Sequence, residues 1–86
     1  MNARALVARN IRRLRVARGL SQEALAVDAE IDRTYVSRLE RGLENPTVAV
    51  LERLSMALDC KIGEFFASSG LGKVATLRPG RKPARR

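Results

Sequence analysis

Apolar residues recur along most of this chain at spacings of three and four, the period of helices that bury one side. Ala3, Val7, Ile11 and Leu14 form the first stripe, and Gly19 follows where a left-handed residue would stop the helix. Ser21 can cap a second, short helix from about Gln22 to Asp28, with Leu25 and Ala29 pointing inward. After Glu30 and Ile31, Asp32 can cap a third helix running to Arg41, closed by Gly42 as Gly19 closes the first. Asn45-Pro46-Thr47 reads as a turn and cap before the stripe Leu51, Leu54, Ser55 and Leu58 of a fourth helix. Ile62 to Phe66 has room for one or two turns of a fifth, carrying the paired Phe65 and Phe66, of which at least one should be core. The expected fold is all-α: a compact five-helix domain over residues 1–66. From Ala67 onward, Gly70, Gly72, Pro79, Gly80 and Pro83 oppose regular helix, so residues 67–86 read as an arm, with Val74 to Leu77 apolar enough for a short strand or a partner contact.

At 86 residues the chain can build one core, and a large internal catalytic cleft or ligand pocket is not expected. Its formal charge of +8 suits a polyanionic partner, nucleic acid or anionic membrane. Most of that charge is in the arm: residues 1–66 carry 11 basic and 9 acidic groups, residues 67–86 carry 6 basic and none acidic. No apolar run is long enough to span a bilayer, and Arg4 and Arg9 interrupt the N-terminus where a signal peptide would be apolar, which points to the cytoplasm. Cys60 is the only cysteine and histidine is absent, so an internal disulfide and the usual zinc ligand sets are ruled out and no cofactor is expected. Cys60 reads as a buried small residue.

The third helix carries the chemistry. At about 100° per residue, Arg33, Thr34, Ser37, Arg38 and Arg41 fall within one arc of roughly 140°, while Tyr35, Val36 and Leu39 occupy the other side. That arc holds long cations and short hydroxyls and no carboxylate of its own helix. Arginine can donate two parallel hydrogen bonds to guanine O6 and N7, and threonine or serine can bond base edges or touch a thymine methyl. Arg33, Thr34, Ser37 and Arg38 are therefore candidate base readers. Composition alone would equally allow a solvated helix face.

The surrounding motifs decide between those readings. Leu20-Ser21-Gln22-Glu23-Ala24-Leu25-Ala26, then Asp32 through Gly42, then Asn45-Pro46-Thr47, resemble the XRE family related to phage lambda repressor and Cro, to which restriction-modification controller proteins belong. The resemblance covers roughly residues 6 to 66 and implies a lambda-repressor-like helix-turn-helix, with the third helix in the major groove and the start of the second against the backbone. Gln22, at the first position of its helix, becomes a phosphate-contact candidate, helped by the free N–H groups there. Arg12, Arg13, Arg41 and Asn45 are further phosphate-contact candidates, because phosphate asks only for charge and donors. The resemblance also implies a structural ion pair between Arg15 and Glu40, with phosphate contact an alternative role for Arg15. The chain departs from the family pattern at Glu30 and Asp59, where glycine is usual, and a non-glycine residue at positive φ costs about 1 kcal/mol.

One recognition helix reads only a few base pairs, so useful specificity calls for two half-sites about 34 Å apart and a twofold dimer. The resemblance places dimerisation in the fourth-to-fifth helix region, which nominates Ile62, Phe65 and Phe66, with Leu71, Val74 and Leu77 as additions; burial of both phenylalanines within the monomer is the competing reading. In the arm, Gly80-Arg81-Lys82-Pro83 loosely resembles an AT-hook. A non-specific electrostatic anchor and a solubilising tail are the alternatives. The expected function is sequence-specific double-stranded DNA binding by a dimeric regulator, a repressor or autoregulator; the alternative is an antitoxin or other protein-interaction module whose DNA binding is secondary. An enzyme is disfavoured, since nothing here supplies an activated nucleophile or base. Membrane-surface binding lacks the aromatic anchors it would need.

Overall fold

The computed structural model describes residues 2–68. Four α-helices make up most of it: α1 (Ala3–Ala17), α2 (Gln22–Ala29), α3 (Arg33–Glu40) and α4 (Val48–Leu58), followed by a 3-10 turn at Ile62–Phe66. No strand occurs among the described residues, and none of their helices is long and apolar enough to cross a membrane.

Each helix begins on the kind of residue that can satisfy free N–H groups. The Asn2 side chain accepts from Ala5 N–H at 2.8 Å, Ser21 Oγ from Ala24 at 2.9 Å, Asp32 from Thr34 at 3.1 Å and Thr47 Oγ1 from Val50 at 3.1 Å. Ends are equally local. Gly19 and Gly42 take φ of +70° and +76°, which lets Leu20 N–H reach back to Arg15 O and Leu43 N–H to Arg38 O. Glu30 (φ +59°) and Asp59 (φ +54°) do the same work without glycine, closing Ile31 N–H onto Ala26 O and Cys60 N–H onto Ser55 O. The tight turn between α2 and α3 is thus kept despite Glu30, and its strain is carried locally.

Val7, Ile11, Leu25, Ala26, Ala29, Val36, Leu39, Leu51, Leu54, Leu58 and Phe65 form one buried cluster. α2 packs on α3 and α4, and α1 packs on α3 and the 3-10 turn. Leu14 and Tyr35 pack against the cluster partly buried, while Ala3, first in the α1 stripe, is exposed at the helix end. Ser55 is buried with its hydroxyl donating to Glu52 O at 2.7 Å inside its own helix.

The expected fifth helix is a 3-10 turn of five residues. Gly63 weakens it, and the chain has turned extended by Ala67. Asn10 supplies the reason it stops there. Its side chain is buried in α1 and donates to Phe65 O and Ala67 O, both at 2.9 Å, so these carbonyls are satisfied from outside and need no further turn.

Candidate nucleic-acid interface

Tertiary packing sorts α3 by side. Val36 and Leu39 are fully buried and Tyr35 half-buried, whereas Arg33, Thr34, Arg38 and Arg41 are exposed and Ser37 is half-exposed between them. All the candidate base readers therefore lie on the solvent side of one helix whose opposite side is locked in the core. Capping by Asp32 fixes where that helix begins, and the turn at Glu30 fixes how it leaves α2.

The far end of α3 is held by a polar network. Arg15 of α1 donates from Nε to Glu40 Oε2 at 2.6 Å and from Nη2 to Glu40 Oε1 at 3.0 Å, a two-point fork, and from Nη1 to Leu20 O at 2.7 Å. Gln22, first residue of α2, donates through Nε2 to Glu40 Oε1 at 3.1 Å. One carboxylate thus ties α1, the start of α2 and the end of α3 together. The Glu40 bonds push the Arg15 pKa above its ordinary value, against the opposite pull of burial. Gln22 keeps a second amide N–H for another partner.

Beside this network runs a shallow groove lined by Ala5, Ala8, Arg9, Arg12, Glu40, Arg41 and Gly42. Among the described residues the ion pairs involve Arg15, Arg18 and Arg38, and Arg9, Arg12 and Arg41 form none. Arg12 and Arg41 are brought together here, and Arg9, which sequence reasoning passed over, joins them. Arg13 does not line that groove: it bonds Asn10 Oδ1 through Nε at 3.4 Å and Nη2 at 3.3 Å, and shares a neighbouring groove with Arg9 and Arg12. Asn45 is exposed and lines a notch with Ala3, Arg4, Val7, Pro46, Leu51 and Phe66.

Arg38 is not free. Its Nε donates to Glu44 Oε2 at 2.7 Å, from the loop that follows α3. The arc free of carboxylates, read from the helix alone, receives one from outside it. Tyr35 feels the same group: burial first, then the charge of Glu44, raises its phenol pKa. Glu44, Asn10 and the Gln22 contact to Glu40 were not legible in the pattern, because each joins residues on different elements and none disturbs a helical period.

Of the nominated dimer residues, Phe65 is 0 % exposed and the largest fully buried side chain, so it belongs to the protomer core and has no surface to offer. Phe66 is 48 % exposed and Ile62 half-buried. Leu71, Val74, Leu77 and the basic segment Gly80–Pro83 lie outside the described residues. Cys60 is half-buried and burial raises its thiol pKa, the opposite of what an activated nucleophile needs.

A helix-turn-helix family model, HTH_3, matches residues 11–65. The chain belongs to this helix-turn-helix family. It is 38% identical over 72 residues to the control protein C.BamHI of Bacillus amyloliquefaciens, covering 83% of this chain and 89% of that one. Among solved structures it resembles the restriction-modification controller protein C.AhdI from Aeromonas hydrophila, with a TM-score of 0.71 and 40% identity over 72% of this chain and 94% of that one. It also resembles the controller protein C.Esp1396I, solved as a tetramer in complex with its natural 35 base-pair operator, with a TM-score of 0.71 and 33% identity over 77% and 87% of the two chains. As a member of this family of transcriptional regulators, the chain has α2 and α3 as its helix-turn-helix.

Proposed function

We propose that this protein binds double-stranded DNA sequence-specifically as a homodimeric transcriptional regulator, a repressor or autoregulator acting in the cytoplasm on the nucleoid. One observation carries the reading: α3 exposes Arg33, Thr34, Arg38 and Arg41 while Val36 and Leu39 are sealed in the core. A rigid helix of this kind fits the major groove, and Arg33, Thr34, Ser37 and Arg38 read base edges there. The likeness to a controller protein solved on its operator supports the same reading.

Backbone contacts flank the reading helix. Gln22 offers its remaining amide N–H at the start of α2, where free backbone N–H groups also favour a phosphate oxygen. Arg9, Arg12 and Arg41, none of them ion-paired among the described residues, line one groove, and Asn45 stands exposed in a separate notch. Arg13, tied to Asn10, contributes least. The arm over residues 67–86 adds six basic groups as sequence-independent attraction. Phe66 with the edge of Ile62 forms the dimer surface, and the chemistry is recognition, not catalysis.

Selection of bound sequences from random duplex DNA tests this directly. A twofold motif with fixed half-site spacing is expected, and Arg38→Ala should bind the selected duplex about 1 to 3 kcal/mol more weakly. Arg12→Ala and Arg41→Ala should weaken all duplexes alike, each lowering the salt slope by about 0.9. A selection that enriches no motif would overturn the proposal.

A further inference from the structure

Arg38 lies in the last turn of α3, at one edge of its exposed arc, and is 47 % exposed, yet its Nε–H is already committed to Glu44 Oε2 at 2.7 Å. An exposed pair of this type adds little to folding stability, because water screens it and two long side chains must be held still. Its consequence for binding is larger. Arginine has five N–H donors in a rigid plane. With Nε taken from the side, the groups left are the two terminal nitrogens, which face outward along the side chain.

We propose that Glu44 is a positioning residue that sets sequence specificity: it holds Arg38 by its Nε–H so that the guanidinium meets a base edge end-on, and it offsets the charge that would otherwise draw Arg38 to any phosphate. This inference rests on the DNA-binding reading above and adds a residue from outside the reading helix. Two physical effects follow. The side-chain ordering that a flexible arginine would undergo on the operator is largely done beforehand. Non-specific attraction, which depends on uncompensated positive charge, is reduced at the very side chain that reads sequence. Glu44 is itself well placed for this. Its side chain is 28 % exposed, and its charge also reaches Tyr35, so the carboxylate sits over the helix and not out in solvent.

The test measures affinity for the wild-type protein's selected duplex and for a scrambled duplex of equal length, at one fixed salt concentration, by fluorescence anisotropy. Glu44→Ala is expected to tighten binding to the scrambled duplex and to lower the ratio of the two affinities about tenfold, the discrimination of one good arginine contact. In an Arg38→Ala background the same substitution should change the ratio less than about twofold, since the two residues act as one unit. Unchanged thermal melting of Glu44→Ala shows that the fold is intact. A ratio that survives Glu44→Ala, or one that falls equally with and without Arg38, overturns the proposal. A wild-type ratio near one would instead overturn the DNA-reading function on which it stands.

Discussion

Replacing Glu40 with alanine should be the most damaging single polar substitution in this domain. The Glu40 side chain is 3 % exposed and that of Arg15 13 %, so the pair sits almost wholly out of water. Glu40 accepts three hydrogen bonds, two from Arg15 and one from Gln22. Removing it strands the Arg15 guanidinium with Leu20 O as its remaining acceptor among the described residues. Stranding one charge of a buried pair costs about 3 to 5 kcal/mol. That is a large part of the roughly 5 to 15 kcal/mol that holds a domain folded. At about 4 to 8 °C per kcal/mol for a domain of this size, the melting temperature should drop by at least about 12 °C. Urea titration followed by circular dichroism, at one protein concentration so that dimerisation is held constant, measures the effect. The double variant Arg15→Met, Glu40→Leu should recover much of the loss, because replacing both charges with apolar groups leaves no buried charge without a partner. A loss below about 1 kcal/mol for Glu40→Ala, the worth of an ordinary surface pair, would refute the reasoning. So would a double variant as unstable as the single.

Further outcomes follow from the same geometry. Glu30→Gly should stabilise the domain by about 1 kcal/mol, seen as a higher urea midpoint, since it removes a side chain from a φ of +59°. Asn10→Ala removes both donors to Phe65 O and Ala67 O and should cost about 1 to 3 kcal/mol, with hydrogen exchange accelerated at the 3-10 turn. Cys60 and Tyr35 both have pKa values raised above their ordinary 9.0 and 10.0, chiefly by burial. The folded state therefore holds these protons more tightly than the unfolded chain. The stability they contribute is complete below about pH 9, where both groups stay protonated in the folded and unfolded chain alike, and is lost as pH rises through their raised folded values. Urea midpoints taken under reducing conditions from about pH 8 to 11 should fall, and Cys60→Ser should flatten the first part of that decline.

The helices were written locally. Asn2, Ser21, Asp32 and Thr47 accept from backbone N–H groups two or three residues on, and Gly19 and Gly42 close helices within one turn, so these boundaries depend on short-range chemistry that a pattern of residues displays. Even the two unusual helix ends, Glu30 and Asp59, could be located, because the resemblance puts glycine there and the backbone still adopts the glycine conformation. Amphipathic period likewise sorted α3 into a core side and a solvent side before any neighbour was known.

Only the tertiary structure could decide what one element does to another. Whether Phe65 or Phe66 faces inward depended on how α1 and α4 enclose the 3-10 turn, and adjacent residues of a short, nonrepeating segment have no period from which to read it. Asn10 terminates a turn 55 residues away, and Arg13 is drawn to Asn10 while Arg12, one position earlier, faces the groove beside Arg41. Glu44 reaches back to Arg38 because the loop after Gly42 folds alongside α3. Hydrogen bonds and ion pairs act over about 3 Å in space and carry no fixed spacing along the chain, so the sequence could set which groups were available while packing chose which of them meet.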